Sequence, residues 1–427
     1  MKKMKTLKSM HLFALSLCGM VVMSMSAADP MATHYTAQEC QGSLMPYPTP
    51  KHISYPDSLT PVFINHVGRH GARYPASPKN TLALLSLLRQ ADSLGTITPL
   101  GRELISLAKE VERRAKGQWG ALDSLGMAEQ RGIASRMMAN FPEVFKDARV
   151  DALSSYAPRC IMSMYSFTHQ MARINNRLEI YTNSGRQNSL LMRPFDIEED
   201  YKEFRESDAS KEPYDKYVAA TVPVSPLAKI LGTEFPMSGI NAQEMALVEY
   251  YVVAGMSAMS MSCNPYRFFT PMEYNQLWSC FNMRQYIQRT ATTVSTVPAD
   301  IASPLLLDLV NTTDKAVGGQ SQPAVRLRFG HAETLMPLLS LMHLKGCYYM
   351  TNYFDTVALH WKDFYVVPMA ANLQMILFKS KRGHYYVRVD LNETPLPLIT
   401  NSEKIYVPWD TAKDYLMRCV PLHYQIQ

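Results

Sequence analysis

Six residues in three distant stretches could share one chemistry. Arg69, His70 and Arg73 lie within five residues of each other in Val62-Phe63-Ile64-Asn65-His66-Val67-Gly68-Arg69-His70-Gly71-Ala72-Arg73-Tyr74-Pro75. Arg159 follows Ser155-Tyr156-Ala157-Pro158, and His331 and Glu333 stand in Phe329-Gly330-His331-Ala332-Glu333-Thr334. Guanidinium forks suit a multiply charged oxyanion better than ammonium groups do. The histidine between two arginines could serve as a ligand, a base or a nucleophile. A second histidine with a carboxylate could orient the anion or carry a proton.

All three stretches are predicted to sit at the same kind of place. Val62 to Val67 is an apolar, β-branched run that breaks at Gly68. Ser77-Pro78 then reads as a helix start, Ser as N-cap and Pro in the first turn, with the helix over Asn80 to Asp92. Further helices are expected over Pro99 to Lys116 and from Leu125 to just before Phe141-Pro142. Arg149 to Ser154 reads as a strand and Cys160 to Ile174 as a helix. Val325, Leu327 and Phe329 alternate as a strand, and Leu335 to Met342 continues as a helix. Repeated strand–helix alternation predicts an α/β fold, a mostly parallel sheet flanked by helices. In such sheets ligands bind outside the carboxyl ends of the strands, and a helix N-terminus there favours an anion.

Strand, Arg-His-Gly-x-Arg-x-Pro and helix together resemble the signature of the histidine phosphatases. The resemblance is to the branch that holds acid phosphatases, phytases and multiple inositol polyphosphate phosphatases. By itself Arg159 reads as a surface or helix-terminal charge. The resemblance makes it the third phosphate-binding arginine, followed by Ser163, and makes His331 the second histidine. Acid phosphatases of the branch carry His-Asp where this chain has His331-Ala332. His-Ala-Glu is what the multiple inositol polyphosphate phosphatases carry, so Glu333 inherits the proton-donor role. The resemblance thus implies His70 as nucleophile, Arg69, Arg73, Arg159 and His331 as phosphate ligands, and no metal or cofactor. The implied substrate is a small inositol polyphosphate.

The rest of the chain fits around that expectation. Lys2, Lys3, Lys5 and Lys8, the apolar run Met10 to Met25 and Ser26-Ala27-Ala28 read as a signal peptide over residues 1–28. A membrane anchor needs a longer apolar run, and lipid attachment at Cys18 would follow a bulky Leu17. The predicted destination is periplasmic or secreted, with no stable membrane span. With 43 basic and 37 acidic residues the net charge is +6; removing the four signal lysines leaves 39 against 37, or +2. That balance gives nucleic-acid binding no support. Six cysteines follow the signal; Cys263 and Cys280 are the expected disulfide pair, and Cys160 is expected to be a packed free thiol. Nothing in the pattern bears on oligomeric state.

Residues 185–314 are expected to form an α-helical cap inserted between core segments 29–184 and 315–427. Strand signals fade there, and helices are predicted over Ala242 to Met261, Pro271 to Gln288 and Asp300 to Asn311. The run Met256 to Met261 reads as core packing, and Lys202, Arg205 and Lys211 as a solvated charged face. Asn372 to Lys379 and His384 to Leu391 form an expected hairpin, with a last helix over Thr411 to Cys419. Two other classes fit the same residues: a non-catalytic phosphate-binding protein, which would need only the arginines, and a phosphotransferase using the same histidine. Within phosphatases the alternative is a broad-specificity acid phosphatase.

Overall fold

A computed structural model describes residues 35–50, 53–320 and 322–425. The expected signal segment lies outside the described residues. The fold is α/β. Its eight-stranded sheet has the order β3-β2-β4-β1-β5-β6-β7, with β8 added beside β6. The strands are β1 (Leu59–Arg69), β2 (Arg149–Ser154), β3 (Glu179–Ser184), β4 (Val325–Gly330), β5 (Asn372–Ser380), β6 (Tyr385–Leu391), β7 (Thr394–Leu396) and β8 (Val407–Pro408). β3, β2, β4 and β1 run parallel, whereas β5 and β6 close the sheet antiparallel as the expected hairpin.

β1 is the central strand. Its last seven residues are all buried, which explains why they read as an apolar run. One face of the sheet packs Ile64, Val325, Leu327 and Phe329 against helices α3 (Ser124–Asn140) and α4 (Pro158–Ile174). The other face packs Val67, Leu373 and Met375 against helices Ser303–Val317 and Ala332–Leu341. Buried Asn65 of β1 ties helix Ser303–Val317 to the sheet. Its amide donates to Leu309 O and to the hydroxyls of Thr312 and Thr313, at 2.9–3.2 Å. Its Oδ1 accepts from Arg328, which is also paired with Asp308. The last part of the helical region therefore belongs to the sheet's own packing.

Although Met283, Tyr286 and Ile287 at the end of helix Pro271–Arg289 still pack with the sheet, much of the rest of that region builds a separate apolar cluster. Tyr250, Tyr274, Leu277 and Trp278 pack there with Leu84 and Leu88 of α1 (Lys79–Ser93) and Leu104 of α2 (Pro99–Ala115). Met256 and Met259 are buried in it. The expected Cys263–Cys280 disulfide is not formed, and all six described cysteines are free thiols. Cys280 lies well inside helix Pro271–Arg289 and fills apolar space, so the two residues do not flank a loop. α1 begins at Lys79, one residue before the expected Asn80, but its cap is not the expected Ser77. Pro78 takes the cap position without a side-chain bond, and Ser77 lies outside the helix. Among the described residues no helix is long and apolar enough to cross a membrane.

The loop after β1 touches α3 through two glycines. A Cβ on Gly126 would lie 2.2 Å from Ala72 O, and one on Gly71 would lie 2.4 Å from Gly126 O. Both obstacles are backbone and cannot rotate away. Gly126→Ala is therefore expected to destabilise the protein by about 1–3 kcal/mol, the usual cost of overpacking. Chemical denaturation would measure it, and an unchanged midpoint would show that the loop and α3 can separate freely.

Candidate active site

The three polar stretches meet at one edge of the sheet. Arg69 pairs with Gly330 in the β1–β4 ladder, and Ser154 pairs with Phe329 in the β2–β4 ladder. The carboxyl ends of β2, β4 and β1 thus deliver Arg159, His331 and His70 side by side. Arg159 and Arg69 do not follow adjacent strands, because β4 lies between β2 and β1. His331 is accordingly the residue that meets Arg159, with Arg159 Nη2 3.2 Å from His331 Nδ1.

His70 is held from several directions. Its backbone N–H donates to Gly330 O, and its carbonyl accepts from Ala370 N. Nδ1 lies 2.9 Å from Gly71 O, a contact that requires Nδ1 to carry the proton. Nε2 is left with its lone pair. Burial, then the charges of Arg69, Arg159 and Arg73, holds the imidazole well below its usual pKa, so the ring is neutral.

Arg69 and Arg73 are positioned by backbone carbonyls. Arg69 Nη1 donates to Ser43 O and Val367 O, both at 2.6 Å. Ser43 is fixed in turn by Asp363, whose carboxylate accepts from Ser43 N at 2.7 Å and from Trp278 Nε1 at 2.9 Å. Burial pulls Arg69 down to about 10, which still leaves it a cation at neutral pH. Arg73 Nη1 donates to Tyr74 O. The buried Nε groups of Arg69, Arg73 and Arg159 have no hydrogen-bond partner among the described residues. Buried donors of this kind call for an acceptor, and an anion in the cleft would supply it.

α3 and α4 brace the loop from behind. Gln130 donates to Arg69 O at 2.9 Å, Glu129 accepts from Ala72 N at 2.7 Å, and Ser163 Oγ accepts from Gly71 N at 3.1 Å. The sequence marked α3 only as a helix. Glu129 and Gln130 escaped notice because a helical Glu-Gln pair normally faces solvent.

His331 is buried beside His70, its ring centroid 5.8 Å from that of His70. Its Nε2 faces Ser155 Oγ at 2.9 Å and Arg193 Nη1 at 2.7 Å. Arg193, which sequence reasoning missed, is stacked on Tyr156 and Phe195 and paired with Asp196. Burial, then the charge of Arg159, pulls His331 down to about 3, so this ring is neutral too. Cys160 is a buried free thiol whose Sγ lies 3.1 Å from Gly330 O.

The cleft in front of these groups has a volume of about 720 Å³, within the usual range for a small-molecule site. Arg69, Arg73 and Arg159 line it together with Lys79, Arg284 and Arg289. The carboxylates facing these six cations are Asp215, Glu244 and Glu333. Lys79, Arg284 and Arg289 were not singled out by sequence, since each lies on a helix face with nothing local to mark it. Lys202 and Lys211 instead pair with Glu199 and Glu206 on the exposed surface. Glu333, at the start of helix Ala332–Leu341, is paired with Arg289 at 2.9 Å. Burial would raise its pKa, but Arg289 and then His331 more than offset that and hold the carboxyl below the usual range.

The model of the histidine phosphatase superfamily (branch 2) matches residues 62–392. The chain belongs to that branch. Among curated relatives, human multiple inositol polyphosphate phosphatase 1 is 27% identical over 405 residues, covering 85% of this chain and 81% of the human one. The chicken enzyme of the same name is 26% identical over 393 residues, covering 85% and 84%. Among solved structures, Bifidobacterium longum multiple inositol polyphosphate phosphatase in complex with inositol hexasulfate superimposes with a TM-score of 0.76 at 17% identity. That match covers 90% of this chain and 99% of the other. A phytase from D. castellii gives 0.68 at 15% identity, covering 93% and 89%. These two structural matches establish the shared fold.

As the phosphate ligand that the sequence reading expects, Arg159 would offer both charge and a planar fork. Arg159→Lys keeps the charge and loses the fork, so kcat/KM is expected to fall by at least about tenfold. A near-normal kcat/KM on any phosphate ester would show that Arg159 is not part of the anion site.

Proposed function

We propose that this chain is an exported phosphomonoesterase that removes phosphates from inositol hexakisphosphate and lower inositol polyphosphates through a phosphohistidine intermediate. One observation carries the reading. His70 has its Nδ1 tied to Gly71 O, which leaves Nε2 available among Arg69, Arg73 and Arg159 in a cleft that carries further cations. A binding protein would need the arginines but not a neutral, oriented imidazole. The names of the relatives support the substrate class, and the signal-like residues 1–28 support export.

Hydrolysis would take two steps. The His70 Nε2 lone pair attacks phosphorus in line, and the electrons of the breaking P–O bond pass to the leaving oxygen. Arg69, Arg73 and Arg159 spread the charge of the equatorial oxygens with donors already in place. Glu333 gives the leaving oxygen its proton, then takes one from the water that attacks the phosphohistidine. His331 reaches the phosphate through its Nδ1 side, where Arg159 already lies. Lys79, Arg284 and Arg289 would receive phosphates that are not being cleaved. Of the expected cap over residues 185–314, the helices before residue 303 would shape this side of the cleft.

His70→Ala is expected to abolish turnover of inositol hexakisphosphate while leaving the fold intact by circular dichroism. Quenching the native enzyme without acid should trap phosphate on His70. Substantial activity in the alanine variant would overturn the mechanism.

The leaving group separates the roles open to Glu333. Glu333→Gln should cripple hydrolysis of alkyl phosphates, by about 10²–10⁴-fold if a general acid is lost. It should spare the phosphorylation step with an activated aryl phosphate, since a phenolate leaves unaided. Equal loss on both would make Glu333 a positioning group, and no loss on either would make it a helix-start charge only.

A further inference from the structure

The residue read as the proton donor is held as an ionised base. Arg289, in the last turn of helix Pro271–Arg289, donates from Nη2 to Glu333 Oε1 at 2.9 Å. Its Nη1 donates to Gln285 Oε1, and its buried Nε has no partner among the described residues. Both members of the pair line the cleft, and the Glu333 side chain is 33% exposed there. The other groups that act on Glu333 are Arg69 from β1, Arg159 and Cys160 from α4, Tyr201 from helix Glu199–Glu206, and His331 beside it in sequence. A carboxylate paired with a guanidinium has no proton to give. Something that arrives with the substrate must break the pair.

We propose that Arg289 is a specificity-determining residue: a phosphate adjacent to the one under attack draws its guanidinium off Glu333, and only then does Glu333 become the acid. The proposal rests on the reading of this site as a phosphatase with Glu333 as proton donor. A phosphate dianion is a stronger partner for a guanidinium than one carboxylate oxygen, because it carries more charge and can take two parallel N–H bonds. Gln285 supports only one edge of the Arg289 fork, so the guanidinium can turn about that contact. Once released, Glu333 takes a proton from solvent. As the His70 Nε2–P bond forms, the P–O bond breaks and its electron pair, on the leaving oxygen, accepts that proton. Substrates bearing several phosphates thus switch on their own acid. An isolated alkyl phosphate leaves Glu333 paired and reacts slowly, and an aryl phosphate is indifferent because its leaving group needs no proton.

The pH dependence of kcat reads this directly. Loss of the acid's proton sets the alkaline limb, and moving a cation away from a carboxyl raises its pKa, so the limb moves to higher pH. In the wild-type enzyme the limb for inositol hexakisphosphate is expected about 1–3 pH units above that for glycerol 2-phosphate, the usual effect of one opposite charge. p-Nitrophenyl phosphate should show no such limb in its phosphorylation step. In Arg289→Gln the glycerol 2-phosphate limb should rise and close the gap, and KM for inositol hexakisphosphate should increase. Closure separates this coupling from the ionisation of the substrate itself. Coincident limbs in the wild-type enzyme, or a gap that survives Arg289→Gln, would overturn the role of Arg289. The wild-type comparison needs no variant, so poor folding of Arg289→Gln leaves it decisive. If the wild-type enzyme releases no phosphate from inositol hexakisphosphate, or Glu333→Gln retains full alkyl phosphatase activity, the functional reading fails and this proposal with it.

Discussion

Everything near the cleft answers to one electrostatic constraint: several guanidinium groups must be held together without being neutralised. Like charges at short range repel, and burial adds a desolvation cost to each. A direct carboxylate partner would relieve both, but it would also occupy the donors that the site exists to offer. For Arg69 and Arg73 the chain instead uses neutral acceptors, and among the described residues the direct guanidinium–carboxylate pair in the cleft is confined to Arg289 and Glu333. Arg69 is satisfied by the carbonyls of Ser43 and Val367 and Arg73 by that of Tyr74, each through Nη1. Negative charge is kept one step back, on Asp363 behind Ser43 and on Glu129 behind Ala72. The cations are thereby steadied while their other N–H groups stay free.

That arrangement depends on where β1 sits in the sheet. Its parallel neighbour β4 brings His331 to the carboxyl edge, and the antiparallel β5 begins at the same edge with Asn372. The segment leading into β5 supplies Val367 O to Arg69 and the Ala370 N–H to His70 O. A fully parallel sheet would place a strand end there, not the start of a strand with its free backbone groups. The change from parallel to antiparallel pairing thus provides the acceptors that hold the loop.

What could be read from sequence follows from the range of the forces involved. The loop after β1 was legible because its glycines and proline mark a strand-to-helix turn locally, and its arginines and histidine stand together in one contiguous signature. Glu333 stood out because it follows His331 at a strand end. Arg193 did not, since its contact with His331 joins residues 138 positions apart. Lys79, Arg284 and Arg289 were hidden for the same reason. A cation on a helix face has one appearance whether it meets solvent or a cleft, and only tertiary packing decides. The disulfide expectation failed on another count. Cysteines are good apolar fillers, and Cys280 is used that way inside the helical cluster.

The fold also separates two glutamates that could compete for the same proton. Burial pushes Glu129 up to about 7, while backbone N–H groups of Tyr47 and Ala72 hold it down. By pKa alone it would be the better acid near neutral pH. Geometry removes it. Both of its oxygens accept backbone bonds, from Tyr47 N and Ala72 N at 2.7 Å, and it is not among the residues facing the cleft. Protonating it would loosen the loop that carries His70. Glu333 has the opposite character, with a low pKa but a place in the cleft and a partner, Arg289, that an anion can compete for. A carboxyl that faces the cleft and whose partner can leave is a better candidate acid than one with a favourable pKa and no route to the substrate.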